Sequence, residues 1–134
     1  MKIQLQDVLP EGIPVKRETH SIWERKIELD LKRNYLVRGA SGRGKSTFLH
    51  ILLGIRRNYS GQVILDEENI GNFSSTKWAL VRQNTLAMVF QDLRLLGELT
   101  TRDNLAIKIS LTESPQCKII EELTERLGIK EQLD

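Results

Sequence analysis

Gly39-Ala40-Ser41-Gly42-Arg43-Gly44-Lys45-Ser46-Thr47 fits G-x-x-x-x-G-K-[ST] at every fixed position. Each residue type in the run has a physical reason. Glycines at 42 and 44 let the backbone curl so that successive N–H groups converge on an anion with no Cβ in the way. A helix beginning near Gly44 adds the positive end of its dipole to the same point. Lys45 offers a flexible cation to the β- and γ-phosphates, Ser46 a hydroxyl to Mg2+, and Thr47 a donor to the α-phosphate. The flanks agree with the motif. Tyr35-Leu36-Val37 reads as a short strand entering the loop, and Phe48, Leu49, Ile51, Leu52 and Leu53 as a helix running to Gly54. The whole stretch from Gly39 to Thr47 implies a cradle for the phosphates of a nucleoside triphosphate, with ATP and Mg2+ as the expected ligands.

The rest of the composition bounds the reading. The chain has 134 residues, of which 40% are hydrophobic and 28% charged, the balance of one globular domain at most. A formal charge of +2 gives no argument for nucleic acid or for an acidic membrane surface. Cys117 is the single cysteine, so a disulfide framework or a cysteine-based zinc site within the chain is excluded, which suits a reducing compartment. Lys2, Gln4, Gln6, Asp7, Pro10 and Glu11 interrupt the first residues, so they form no signal-peptide core. Nor does any run reach the roughly 18 apolar residues of a spanning helix.

Outward from the loop, Met1–Val8 reads as a strand and Leu9–Thr19 as a loop punctuated by Pro10, Gly12 and Pro14. Between Ser21 and Lys32 the pattern alternates, Trp23, Ile27, Leu29 and Leu31 against Lys26, Glu28, Asp30 and Lys32, which predicts one long strand. Arg33-Asn34 is a turn. Ser60-Gly61 reads as a turn opening a strand over Gln62–Asp66. Ser74–Arg82 reads as a short helix, and Leu86–Phe90 as a buried strand. The last third is helical: Thr100 or Thr101 caps one helix, with Asp103 in its first turn. Ser114-Pro115 starts another, with Ile119, Ile120, Leu123 and Leu127 on one face and Gly128 as its stop. This order of strands and helices describes an α/β protein.

Three stretches carry a family resemblance: GASGRGKSTFLHILLGI, YSGQVILDEENI and LAMVFQDLRLLGELTTRDNLAI. Together they resemble the ATP-binding subunit of an ABC transporter over most of the chain, from about Ser21 onward. Gln91, about 45 residues beyond Lys45, stands where that family has a glutamine reaching Mg2+ and the attacking water. Leu95, Leu96, Thr100 and Asn104 follow the family's usual sequel. Within the family the Gln91 segment is most similar to the lipoprotein-release, macrolide-export and cell-division groups.

The resemblance implies a P-loop ATPase domain with an antiparallel β subdomain, residues 1–134 being the N-terminal portion of one such domain. It also implies a dimer of ATP-binding domains bound to a transmembrane permease on the cytoplasmic face of the cell membrane, with no nucleic acid involved. Lys45 and Gln91 are the expected catalytic residues, Ser46 and Gln91 the expected Mg2+ ligands. The family's Leu-Ser-Gly-Gly-Gln signature, its strand ending in Asp-Glu and its switch histidine are not found in the sequence, and neither His20 nor His50 stands in for the last. The expectation is therefore that this chain alone is poorly soluble or partly unfolded, with negligible hydrolysis. Asp66-Glu67 follows only three apolar residues, so it reads as the family's antiparallel strand end and not as a catalytic pair. The adenine-stacking aromatic expected near Gly12 is also missing, leaving apolar contact from Pro10, Ile13 or Val15. Trp23 reads as packing, and ATP is expected to be only weakly preferred over GTP.

Two other classes share the loop. One is an ABC-type ATPase of the repair or translation kind, against which Leu93, Leu95 and Leu96 suggest a groove for a membrane subunit. The other is a P-loop kinase or GTPase using Asp66 as metal carboxylate; the Asn-Lys-x-Asp base-reading motif of a GTPase is absent.

Overall fold

The computed structural model describes residues 1–13, 21–111 and 118–133. They fall into two compact units, Met1–Arg82 and Gln83–Asp134.

The first unit is built on a four-stranded antiparallel sheet in the order β2-β1-β3-β4, with β1 at Lys2–Pro10, β2 at Ile27–Asp30, β3 at Tyr59–Leu65 and β4 at Glu68–Asn69. Ile3 pairs with Leu29 on one side and Leu65 on the other; Leu5 pairs with Ile27 and Val63. That register puts the apolar residues of three strands on one face, and Ile3, Leu5, Val63 and Leu65 are buried there. Each such side chain contributes roughly 1.5–3 kcal/mol on burial. The other face is wet: Lys2 pairs with Glu28 at 2.5 Å, and Gln4 donates to the same carboxylate at 3.2 Å.

The buried positions of β1 change phase, from Ile3 and Leu5 to Val8 and Pro10. A bulge causes this. The register passes from Gln6–Gln62 to Leu9–Ser60, so Asp7 and Val8 together oppose Gly61. Asp7 adopts φ 53° and Gly61 φ 82°, and a Cβ at 61 would stand 2.4 Å from the Asp7 carbonyl oxygen. Ser60-Gly61 is therefore part of β3, which starts at Tyr59, and not a turn before it. At the other end of β3, Asp66 and Glu67 (φ 43° and 76°) are the two-residue tip of a hairpin whose flanks pair Leu65 with Glu68.

The strand expected from Ser21 to Lys32 is realised only as Ile27–Asp30. Glu24 turns the chain with φ 55°, and its amide, like that of Asp7, is spent on the bulge: Glu24 N–H donates to the Val8 carbonyl and Asp7 N–H to the Arg25 carbonyl. After β2, Asp30 closes the Leu31–Arg33 turn by accepting from the Lys32 amide at 2.9 Å.

Helix α1, Lys45–Leu52, buries Phe48 and Ile51. It stops at Gly54, where Gly54 N–H donates to Ile51 and Ile55 N–H to His50, the paired bonds of a Schellman end. The Asn69 side chain accepts from Gly71 N–H and opens a 3-10 turn, Ile70–Asn72. Helix α2, Ser75–Asn84, begins with Ser74 Oγ accepting from the Lys77 amide at 3.1 Å. Trp78 is buried, edge-on to Phe73 with centroids 5.4 Å apart.

Two expected strands do not form. Tyr35–Val37 and Leu86–Phe90 have no ladder partner among the described residues, and Leu36 and Val89 are 74% and 88% exposed. A parallel strand is stabilised by neighbours on both sides and cover on both faces. Without them an apolar run stays irregular.

In the second unit, α3 spans Thr101–Ser110 and α4 spans Lys118–Leu127. Thr100 is the cap of α3: its hydroxyl accepts from Asp103 N–H, and the Asp103 carboxylate accepts from the Thr100 amide, a reciprocal box. The Ser114-Pro115 start expected for α4 lies outside the described residues. Gly128 ends α4 as expected, with φ 69° and bonds from Gly128 to Glu125 and Ile129 to Thr124. The helix buries Ile120 and Thr124, whereas Ile119, Leu123 and Leu127 are exposed. The apolar stripe read from the sequence is thus offset from the buried face.

Candidate functional site

The Gly39–Thr47 loop owes its shape to two left-handed glycines, Gly42 at φ 76° and Gly44 at φ 84°. Gly44 is the N-cap of α1, and no side chain caps the helix. The first helical bond runs from Phe48 N–H to Gly44 at 2.8 Å, so the amides of Lys45, Ser46 and Thr47 have no intrahelical acceptor. The first turn holds no acidic residue to cancel the dipole. Lys45 folds back over the loop, its Nζ donating to the carbonyls of Gly39 at 2.7 Å and Ala40 at 2.9 Å. An ammonium has three donors, so two of them brace the loop's entry. Ser41, Arg43 and Ser46 are exposed, while Thr47 is half-buried.

Beneath the loop lies Trp23, 5% exposed and edge-on to Phe48 at 6.2 Å. A ring buried this way supports the loop and presents no face for a base, in keeping with its reading as packing. Ile13 meets Gly44 from the same side, its Cδ1 lying 3.3 Å from where a Cβ would be. Of the other residues considered for adenine contact, Pro10 is buried at the end of β1, and Val15 lies outside the described residues.

Gln91 belongs to the second unit, exposed in a turn after Phe90. Leu93 and Arg94 follow with φ 55° and 51°, and the Arg94 guanidinium stacks 4.1 Å above the Phe90 ring. Asn104 fixes the remainder of this loop. Its side chain accepts from Leu96 N–H at 2.9 Å and donates to the carbonyls of Leu96, Leu99 and Thr100. The sequence showed Asn104 only as a member of a familiar run; its signal was an amide side chain one turn into a capped helix, within reach of loop carbonyls. Leu93, Leu95 and Leu96 are 63%, 67% and 54% exposed, so they are not core. Among the described residues no cluster of His, Cys, Asp and Glu could hold a metal.

Residues 24–134 match the family model described as ABC transporter. The lipoprotein-releasing system ATP-binding protein LolD of Myxococcus xanthus is 33% identical over 115 residues, 82% of this chain and 51% of that protein. The ABC transporter ATP-binding protein YxdL of Bacillus subtilis is 36% identical over 101 residues, 73% of this chain and 39% of that one. The methionine import ATP-binding protein MetN of Bartonella henselae is 35% identical over 94 residues, 68% of this chain and 27% of that one. The chain thus spans about half, or less, of the length of these relatives. Its fold is similar to the dimeric structure of MJ0796, a bacterial ABC transporter cassette, with TM-score 0.68 and 19% identity over 98% of this chain and 59% of that one. The α/β fold with its antiparallel sheet is that of an ABC-type ATPase cassette, and the chain belongs to the ABC transporter family.

Proposed function

We propose that this chain acts in the ATP-binding subunit of an ABC transporter, in which ATP binding and hydrolysis drive a membrane permease. The observation that carries the reading is the open N-terminus of α1, with three amides lacking helical acceptors and Lys45 held over the loop. These donors fit a chain of phosphates: all lie within one short segment, no acidic residue stands in the first turn, and Gly42 and Gly44 clear the approach.

In this reading, the amides from Gly39 to Thr47 bind the phosphates and Lys45 neutralises charge on the transferred group. Ser46, whose hydroxyl is exposed in the first turn, and Gln91 would hold Mg2+. That ion, when bound, neutralises phosphate charge and supplies electrophilic assistance. Both compact units, residues 1–134, belong to the N-terminal portion of a single ATP-binding domain. The subunit pairs with a second copy and with a permease at the cytoplasmic face of the membrane. Supporting this, the relatives are ATP-binding proteins of transporters and the matched cassette is a dimer. No helix among the described residues is long and apolar enough to cross a membrane. The exposed Leu93, Leu95 and Leu96 favour transport over the repair or translation kind of ATPase.

The test is recovery of the tagged chain from detergent-solubilised membranes of its own host. A polytopic membrane protein should co-purify, and Leu95→Asp with Leu96→Asp should release it. Recovery without such a protein, or association indifferent to the aspartates, contradicts the transport reading.

A further inference from the structure

The end of α1 and the start of β3 enclose a cavity of about 230 Å3 in the first unit, separate from Gly39–Thr47. Its polar lining includes Arg56, Arg57, Tyr59 and Asn72, set against Ile51 and Trp78, and it contains no carboxylate. Arg56 is held in place by donating from Nη2 to the Glu11 carbonyl, and its Nε is buried with no acceptor among the described residues. A guanidinium nitrogen can only donate, so nothing inside the side chain relieves that deficit. Neither Arg56 nor Arg57 joins an ion pair among the described residues. Burial pushes the Tyr59 phenol up, with Arg57 pulling the other way, so the phenol is a neutral O–H donor near pH 7. The volume exceeds the roughly 30 Å3 share of one water several-fold.

Two guanidinium side chains and a phenol around one cavity with no carboxylate in its lining make a site rich in donors and positive in charge. We propose that this cavity is an anion site that takes a single oxyanion group, a phosphate or a carboxylate, with the Arg57 and Arg56 guanidinium groups as its principal donors. Such a group supplies the negative charge that the two guanidinia lack.

The experiment follows the arginine Nε–Hε cross-peaks of the full chain by NMR in the Lys45→Ala background, which removes the phosphate-loop lysine from the comparison. Inorganic phosphate and acetate are titrated separately, with sodium chloride at matched ionic strength as the blank. The Arg56 signal, identified by its loss in Arg56→Lys, should shift saturably. Arg57→Gln, at an exposed position, should weaken the apparent affinity roughly tenfold. Saturation by phosphate alone assigns a phosphate group; saturation by acetate as well assigns a carboxylate. A shift no larger than that with chloride, or one indifferent to Arg57→Gln, overturns the proposal in favour of water on Arg56. The Tyr59 phenol gives a second reading in Tyr35→Phe. A bound anion should raise its ultraviolet titration midpoint, and an unmoved midpoint at saturating phosphate counts against the site.

Discussion

Trp23 lies directly beneath Gly44: a Cβ added to the glycine would stand 3.0 Å from Cζ2 of the indole, and its φ of 84° is one that other residues adopt at a cost. Gly44→Ala is therefore opposed twice, by about 1–2 kcal/mol of backbone strain and by a ring that is itself packed on Phe48. Nucleotide affinity should fall by roughly tenfold or more, with a smaller loss of stability. Gly39→Ala, where the nearest atoms lie at 3.7 Å or beyond, should be far milder. Equal effects of the two on ATP affinity would separate the loop's function from its support.

Gly54→Ala tests the core of the first unit. The new Cβ would fall 2.3 Å from Trp78 Cε2 and Cζ2, at φ 65°. Trp78 is only 2% exposed, so its ring cannot swing clear. Strain and overpacking together predict a loss of about 2–5 kcal/mol, read as a lower denaturant midpoint at constant slope. An unchanged midpoint would mean that the indole is not fixed there.

Thr100→Ala removes one half of the box that starts α3. The expected loss is about 1 kcal/mol, with Thr100→Ser nearly neutral. Because the cap is local, amide exchange should quicken at the start of α3 while β1 and β3 keep their protection. Exchange unchanged at Asp103 and Asn104 would contradict the assignment.

Tyr59 sets an alkaline limit. Burial raises its phenol above the ordinary value, so the folded chain holds that proton more tightly than the unfolded chain. The resulting stability is fully present below the unfolded value and is lost as pH rises through the folded one. Tyr59→Phe should flatten the decline of stability in that window relative to the parent chain. Identical alkaline profiles would show the ring to be freely solvated.

How much of this was legible beforehand follows the range of the interactions. The loop, the Gly54 and Gly128 stops and the Thr100 cap are written in a few adjacent residues, and all four are found in the structure. The β1 bulge is not local: Asp7 and Gly61 meet only after the sheet forms, and nothing near either one announces the phase change. Trp23 happens to keep the alternation of Ile27 and Leu29, although Glu24 has already turned the chain. Tyr35–Val37 and Leu86–Phe90 have strand composition without ladder partners, and composition supplies no hydrogen bonds. At the site, the residue types of Gly39–Thr47 were readable, whereas the support from Trp23 and Ile13 and the loop clasp by Asn104 required coordinates.

In the proposed function, Lys45 and the open end of α1 hold the phosphates of ATP. This is tested most directly by isothermal titration of MgATP into the chain and into Lys45→Ala, with circular dichroism confirming equal folding. Removing the ammonium deletes charge-assisted bonds worth about 1.5–3 kcal/mol each, so affinity should fall by roughly a hundredfold. Near-equal affinity in the two proteins would rule out that role for Lys45.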